Sequence, residues 1–389
     1  RGLGDVYKRQ LFTYAHEWEC AAPDTGAHVA VASTRLASCA ESSPDSLIVR
    51  TPLPTPVLDQ PLTLRQLAEF LKQPAKTFFR ERLHISLDES TDTLADEETF
   101  ALDALQSWSR QHELIEVRLD ALDHQLDEQQ AVQRQLDRMQ RRGDLPMGAM
   151  MSLTQDDLVE PLDRMFKDLE AARSNWPTEL HNAVLVHEHQ VQGQCLRVED
   201  WITHRRGPPG TTPADTACAW QRIDLSSSNL LQGKHYRLDS LLHPWVVHLA
   251  AHASGHVITT VVVGKNGEVT LRPLDVDWAR QQFNVLLESY WQGLCHPLPL
   301  AAKTGFTWLG LAGDRHQGPV QSCTHNAVEP TRAVYERDYH REGEVQRSPY
   351  LQRAYPTFSD LWSNGEFTRW CHTLYAPLRD SVGVSRDGT

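Results

Sequence analysis

The spacing of apolar residues divides the chain into helical and extended stretches. TLRQLAEFLK opens with Thr63 at a capping position and Gln66 three residues on, and Leu64, Leu67, Phe70 and Leu71 recur at helical spacing. A helix begins there, Pro74 ends or kinks it, and Phe78 with Phe79 opens a second. From about Ala101 to Arg141 the pattern predicts one long helical run with Leu105, Leu114, Ile115, Leu119 and Leu122 as its buried stripe. Gly143 and Pro146 stop it, and a further helix is expected from Leu158 to Ala172.

The character then changes. AVLVHEHQV, CLRVEDWITH, CAWQRIDLS and VITTVVVG are short, β-branched and partly alternating, and each predicts a strand. Between the third and fourth, YRLDSLLHPWVVHLAAHA predicts a helix packed on a sheet, kinked or started by Pro244. GKNGE, residues 264–268, is a hairpin turn. From Trp278 the pattern is again helical, passes a loop rich in Gly and His near Arg315, and closes with SPYLQRAYPTFSDLW and GEFTRWCHTLYAPL. The expected organisation is a non-native stretch at 1–10 (RGLGDVYKRQ, which resembles translated sequencing adapter), the end of a preceding domain and a linker at 11–62, a helical segment at 63–157, a core at 158–300 and a helical extension at 301–389. The chain is read as the tail of a longer protein.

Composition narrows the classes. With 389 residues, 40% hydrophobic and 23% charged, the chain is an ordinary globular protein, and no apolar run reaches the roughly 18 residues of a membrane helix. Seven scattered cysteines without a CxxC pair read as reduced thiols of a cytoplasmic protein. A formal net charge of −13 is not that of a free-standing nucleic-acid binder, yet a subunit can carry local basic surface. There is no GxxxxGK[ST] phosphate loop, no GxGxxG and no GxSxG elbow, so ATP hydrolysis and serine hydrolase chemistry lack their usual supports. No cofactor is implied.

The order helix, three strands, helix, strand pair is that of a restriction-endonuclease-like PD-(D/E)XK core. In that fold a carboxylate on the second strand and an Asp/Glu-x-Lys pair on the third hold Mg²⁺ and neutralise the scissile phosphate. Here RIDLSSS supplies Asp224, but Ser226 stands where the lysine belongs, and alternation puts both on one face. Thr203 falls at the second-strand ligand position, with Glu199 and Asp200 just before it. The next lysine, Lys234, lies beyond the strand. The expected fold is therefore mixed α/β, a degenerate PD-(D/E)XK core flanked by helical segments, with Thr203, Asp224 and Ser226 as vestigial nuclease positions and no metal.

His248, His252 and His256 have the spacing of ligands on one helix face, but without an HExxH motif or a nearby acid they read as structural. His187 and His189 read as a solvent-facing pair. Candidate phosphate contacts are Arg205, Arg206, Lys234 and Lys265, with a basic helical face at Lys72, Lys76, Arg80 and Arg82. The connection RRGPPGTTPADT, residues 205–216, is stiffened by Pro208 and Pro209 and could act as a wedge.

LFTYAHEW, LRQLAEFLKQPAKTFFRERL, GDLPMG, HLAAHASG, AVYERDY, SPYLQRAYPTF and LYAPL, in that order, resemble the C-terminal third of the RecC family, the gamma chains of exodeoxyribonuclease V. The resemblance implies a last domain that looks like a nuclease but has lost its metal ligands. It also implies RecB-like and RecD-like partner subunits, double-stranded DNA ends and single-stranded DNA as ligands, and a strand-splitting pin. It implies no cleavage or ATP hydrolysis by this chain. The competing readings are a self-standing Mg²⁺-dependent nuclease using Asp224, Asp200 and Lys234, and a purely structural interaction module.

Overall fold

A computed structural model describes residues 53–58, 60–87, 101–214, 219–233, 235–311, 325–338 and 341–382. Most of 11–62, the loop near Arg315 and Lys234 lie outside the described residues. Those from Thr55 onward group as one unit.

Helix α1 (Leu64–Lys72) begins at the expected capping box: Gln66 N–H donates to the Thr63 hydroxyl, and Thr63 N–H donates to Gln66 Oε1. Pro74 occupies the first turn of α2 (Pro74–Thr77), where its missing N–H is harmless, and the chain continues into a π-helical turn, Phe78–Arg82. The single helical run expected from Ala101 to Arg141 is two helices, α3 (Ala104–Asp123) and α4 (Glu128–Arg141). Gln125 at φ 55 reverses the chain, and Asp127 caps the second helix by accepting from Gln130 N–H at 3.0 Å. Helix α5 (Ala149–Ser174) starts nine residues before Leu158, after Gly143 and Gly148, both at positive φ.

The strands follow. β1 (Thr178–Glu179) is short; β2 (Ala183–Val191) and β3 (Gln194–Ile202) form a separate hairpin whose two turn residues, Gln192 and Gly193, both have positive φ, as a type I′ turn demands. The stretch predicted as one strand to His204 is broken at Thr203–His204, where His204 has φ 59, and β4 (Arg205–Gly207) joins a different sheet. After β5 (Gln221–Ser226) come the small pair β6 (Leu231–Gln232) and β7 (His235–Tyr236), then α6 (Leu242–Ala253) with Pro244 in its first turn. β8 (Thr259–Gly264) and β9 (Gly267–Leu271) form the hairpin that GKNGE predicts. The central sheet runs β1-β4-β5-β8-β9, with β5 and β8 parallel and every other pair antiparallel. The fold is thus mixed α/β around a five-stranded mixed sheet.

The sheet's two faces have different fates. Ile223, Val261 and Val263, with Leu225, pack under α3, α4 and α5. Val262 and Val269 face the main core, which holds α1, α6 and α7 (Val276–Cys295). α7 also covers the β2–β3 hairpin: His187 Nε2 is 2.8 Å from Asn284 Oδ1 and His189 Nε2 is 2.9 Å from Glu288 Oε1, so this pair faces a helix instead of solvent. The C-terminal helices α8 (Ala302–Leu311), α9 (His325–Tyr335), α10 (Pro349–Ala354), α11 (Phe358–Trp362), α12 (Glu366–Trp370) and α13 (Ala376–Ser381) complete the main core. Tyr375 ties them back to α1 by donating to the Leu71 carbonyl at 2.7 Å.

A candidate functional site on the central sheet

Alternation along β5 places Arg222, Asp224 and Ser226 on one face, beside Thr260, Val262 and Gly264 of β8. Asp224 is nearly enclosed, and both its oxygens are taken: Arg222 Nη2 donates to Oδ2 at 2.8 Å and His204 Nδ1 donates to Oδ1 at 3.0 Å. Burial alone would raise the Asp224 pKa. The Arg222 charge, then the His204 hydrogen bond and charge, outweigh it and hold the carboxyl well below the usual range. His204 itself stays half exposed. Sequence reading missed both partners, although Arg222 stands two residues before Asp224 and so had to share its face.

Thr203 is half-buried in the break between β3 and β4. Continuing the register that pairs Arg205 with Arg222 and Arg206 with Gln221 sets Thr203 opposite Asp224. Ser226 offers only a hydroxyl, which accepts from Ser228 N–H at 3.3 Å. Asp200 accepts from Leu64 N–H at 2.8 Å and from Trp201 N–H at 2.7 Å, which makes it an anchor for the start of α1. Glu199 is held by Arg197. These residues do not fit a divalent ion: the carboxylates of Asp224 and Asp200 face donors inside the protein, and no group of three or more His, Cys, Asp or Glu side chains with metal-binding geometry occurs among the described residues.

The histidines of α6 are equally committed. His248 Nε2 donates to the Arg272 carbonyl at 2.9 Å while Nδ1 accepts from Thr260 Oγ1 at 2.8 Å, which fixes a neutral ring. Burial pushes its pKa down to about 3. His252 Nδ1 donates to the His248 carbonyl and Nε2 accepts from Ile258 N–H. His256 lies beyond the helix end, edge-on to Trp220.

The basic candidates are placed as follows. Arg205 is buried, donates to the His181 carbonyl at 2.8 Å and stacks over Trp220 at 4.5 Å. Arg206, also buried, reaches the Pro177 carbonyl and Glu179. Lys265 donates to Gln111 Oε1 at 2.6 Å, tying the β8–β9 turn to α3. On the basic helical face, Arg80 donates to the Tyr350 hydroxyl and Lys76 sits 5.4 Å from the centre of that ring. Of the connection after β4, residues 208–214 turn back toward β1: Thr211 Oγ1 donates to the Pro208 carbonyl at 2.7 Å and His181 N–H donates to the Pro213 carbonyl at 2.9 Å. Pro209, Gly210, Thr212, Pro213 and Ala214 are exposed, and residues 215–218 lie outside the described set.

Fold and pocket together define a mixed α/β module whose central carboxylate is neutralised by its own protein. The chain belongs to the RecC C-terminal domain family, whose model matches residues 59–312. It is 24% identical over 264 residues to the RecBCD enzyme subunit RecC of Escherichia coli strain K12, a match that covers 68% of this chain and 20% of that one. No helix among the described residues is long and apolar enough to cross a membrane.

Proposed function

We propose that this chain is a non-catalytic part of an ATP-dependent helicase–nuclease of the exodeoxyribonuclease V type. In this reading it is a cytoplasmic scaffold and DNA guide in recombinational repair of double-strand breaks. RecB-like and RecD-like subunits supply motor and cleavage activity, and double-stranded ends and single strands are the DNA ligands. The central sheet is read as a degenerate PD-(D/E)XK core on the strength of a leading helix, an antiparallel β4–β5 pair and a helical crossover from β5 to the parallel β8, with the β2–β3 hairpin standing apart as its own sheet.

The observation that carries the reading is the enclosure of Asp224. Phosphodiester hydrolysis with Mg²⁺ needs a carboxylate open to the ion and a cation at the phosphate. Here the carboxylate is satisfied from within and Ser226 carries no charge. Purified chain with linear DNA and Mg²⁺ is expected to cut nothing, and complexes carrying Asp224→Ala are expected to cleave at the wild-type rate per folded complex. Cleavage by the isolated chain that Asp224→Ala abolishes would transfer the assignment to a nuclease built on Asp224, Asp200 and Lys234.

Strand separation is assigned to the proline-stiffened connection at residues 205–216, which leaves the sheet through β4 and exposes Pro209, Gly210, Thr212, Pro213 and Ala214. Exchanging the tip for a short glycine turn is expected to slow unwinding by the full complex while leaving assembly intact. Unchanged unwinding would remove the wedge from this loop.

A further inference from the structure

The connection that leaves β4 is gripped by the short segment that precedes β2. β1 pairs with β4, Thr178 opposite Gly207 and Glu179 opposite Arg206. Leu180 N–H donates to the Arg205 carbonyl at 2.9 Å, and Arg205 Nη1 donates in return to the His181 carbonyl at 2.8 Å. His181 N–H then reaches forward to the Pro213 carbonyl at 2.9 Å. Residues 178–181 therefore hold the connection on both sides of its turn.

The turn itself is Pro208-Pro209-Gly210-Thr211. Gly210 has φ 86 and Thr211 N–H donates to the Pro208 carbonyl at 3.4 Å, the arrangement of a type II turn with proline at its second position and glycine at its third. That long backbone bond is reinforced by side chains. Thr211 Oγ1 donates to the same carbonyl at 2.7 Å, and Thr178 Oγ1 donates to it from β1 at 3.4 Å. Gly207, buried beneath the turn, makes this approach possible. A Cβ there would stand 2.6 Å from Thr211 Oγ1 and 3.2 Å from Leu180 Cδ2. Neither neighbour is free to withdraw, because the hydroxyl is committed to Pro208 and Leu180 is packed in the main core.

We infer that Thr211 and Gly207 are positioning residues, which set the strand-separating loop at a fixed angle to the sheet with residues 178–181 as its brace. The inference rests on the assignment of strand separation to this connection and names what makes it work. A wedge acts only while it keeps its place against a duplex driven onto it; a loop that bends away leaves the next base pair closed. Stiffness is supplied here by two consecutive prolines, one side-chain hydroxyl and the close approach of a strand residue without a side chain. Thr211 and Gly207 carry no charge, so replacing them leaves the attraction for phosphate untouched and isolates placement from binding.

The test uses the full complex with RecB-like and RecD-like subunits and reads two rates: unwinding of a blunt duplex, and ATP turnover on single-stranded DNA, where there is nothing to separate. Thr211→Val keeps the shape but removes the hydroxyl, and Gly207→Ala inserts the clashing methyl. Each is expected to slow unwinding about threefold to tenfold, the shift in loop population that loss of one hydrogen bond supports, with ATP turnover and affinity for duplex ends at wild-type values. Thr211→Ser, which retains the hydroxyl, is expected to rescue unwinding. Hydrogen exchange at the His181 amide, bonded to Pro213, should be faster in both slow variants than in wild type. Parallel loss of unwinding and ATP turnover would show a general structural defect and overturn the inference. If the exchange for a glycine turn slows unwinding while Thr211→Val and Gly207→Ala do not, the positioning role is wrong and the wedge reading stands. If the glycine turn unwinds normally, the wedge reading fails and the positioning role fails with it.

Discussion

Arg222→Met tests whether the enclosed carboxylate depends on its guanidinium. Methionine keeps much of the side-chain volume but leaves Asp224 with a single partner, the half-exposed His204. Removing one member of a buried ion pair costs about 3–5 kcal/mol. A second effect works against this. Nε and Nη1 of Arg222 are buried with no hydrogen-bond acceptor among the described residues, and relief of their desolvation brings the loss to the lower end of that range or just below it. With His204 still donating to Oδ1, the expected net loss is about 2–3 kcal/mol at neutral pH. Equilibrium urea unfolding followed by tryptophan fluorescence measures it. The pH dependence adds a check of sign. Because the folded Asp224 carboxyl sits below its unfolded value of about 3.9, its contribution is complete above that value and fades as pH falls toward the folded pKa; Arg222→Met raises the folded pKa and shifts that loss to higher pH. The double substitution Arg222→Met with Asp224→Leu should recover to within about 1 kcal/mol of wild type, since well-packed apolar replacements of buried pairs are commonly neutral. A single variant within about 0.5 kcal/mol of wild type would refute the claim that Arg222 neutralises the pocket.

Other expectations follow from the same contacts. His248 is held neutral with a pKa of about 3, so protonation of the unfolded chain below about pH 6.5 destabilises the fold progressively as pH falls toward 3. His248→Gln should flatten that slope by up to one proton in stability measured between pH 6.5 and 4, at some cost at neutral pH; an unchanged slope would refute the neutral ring. Asp200→Ala removes the acceptor for Leu64 N–H at the start of α1 and should cost about 0.5–2 kcal/mol in urea unfolding. Gly193→Val, at φ 82 in the β2–β3 turn, should destabilise the hairpin, seen as faster hydrogen exchange in β2 and β3 than in β5 and β8.

Elements are legible where a local signal has no competitor. The Thr63 capping box, the Gly143 stop, the hairpin at residues 264–268 and the strand around Asp224 follow from neighbours within a few residues. The pattern misleads where chain reversal depends on a residue with no special sequence signature. Gln125 and His204 both adopt positive φ without being glycine, so the periodicity reads as helix through the first and as strand through the second. Leu105 keeps the helical period but points to solvent, because periodicity does not reveal where a neighbouring helix ends. For the site, the missing lysine at Ser226 is readable from alternation alone. The protein's use of Arg222 and His204 is not, since His204 reaches Asp224 across two strands through a kink that only the fold creates.

That kink bears on how such a pocket is stabilised. An isolated Asp224 on a buried sheet face would have to stay protonated or be lost, because a lone ion in an apolar setting costs far more than the sheet could supply. Arg222, one alternation away on the same strand, provides the opposite charge at no loop-closure cost, and its own burial is tolerable only because Asp224 is there. The second donor has to come from another strand. In a regular β3–β4 continuation, position 204 would lie out of phase with Asp224, since the register sets Thr203 opposite it. The left-handed turn at His204 breaks that phase and brings the imidazole within 3.0 Å of Oδ1. The strain of that conformation, about 1–3 kcal/mol, is offset by the charge-assisted hydrogen bond it permits. It follows that His204→Gly should relax the backbone yet destabilise the fold, whereas a residue in the left-handed region without a function in the pocket would gain stability from the same change. A net gain from His204→Gly in urea unfolding would therefore sever the kink from the pocket and leave Arg222 as the sole support of Asp224.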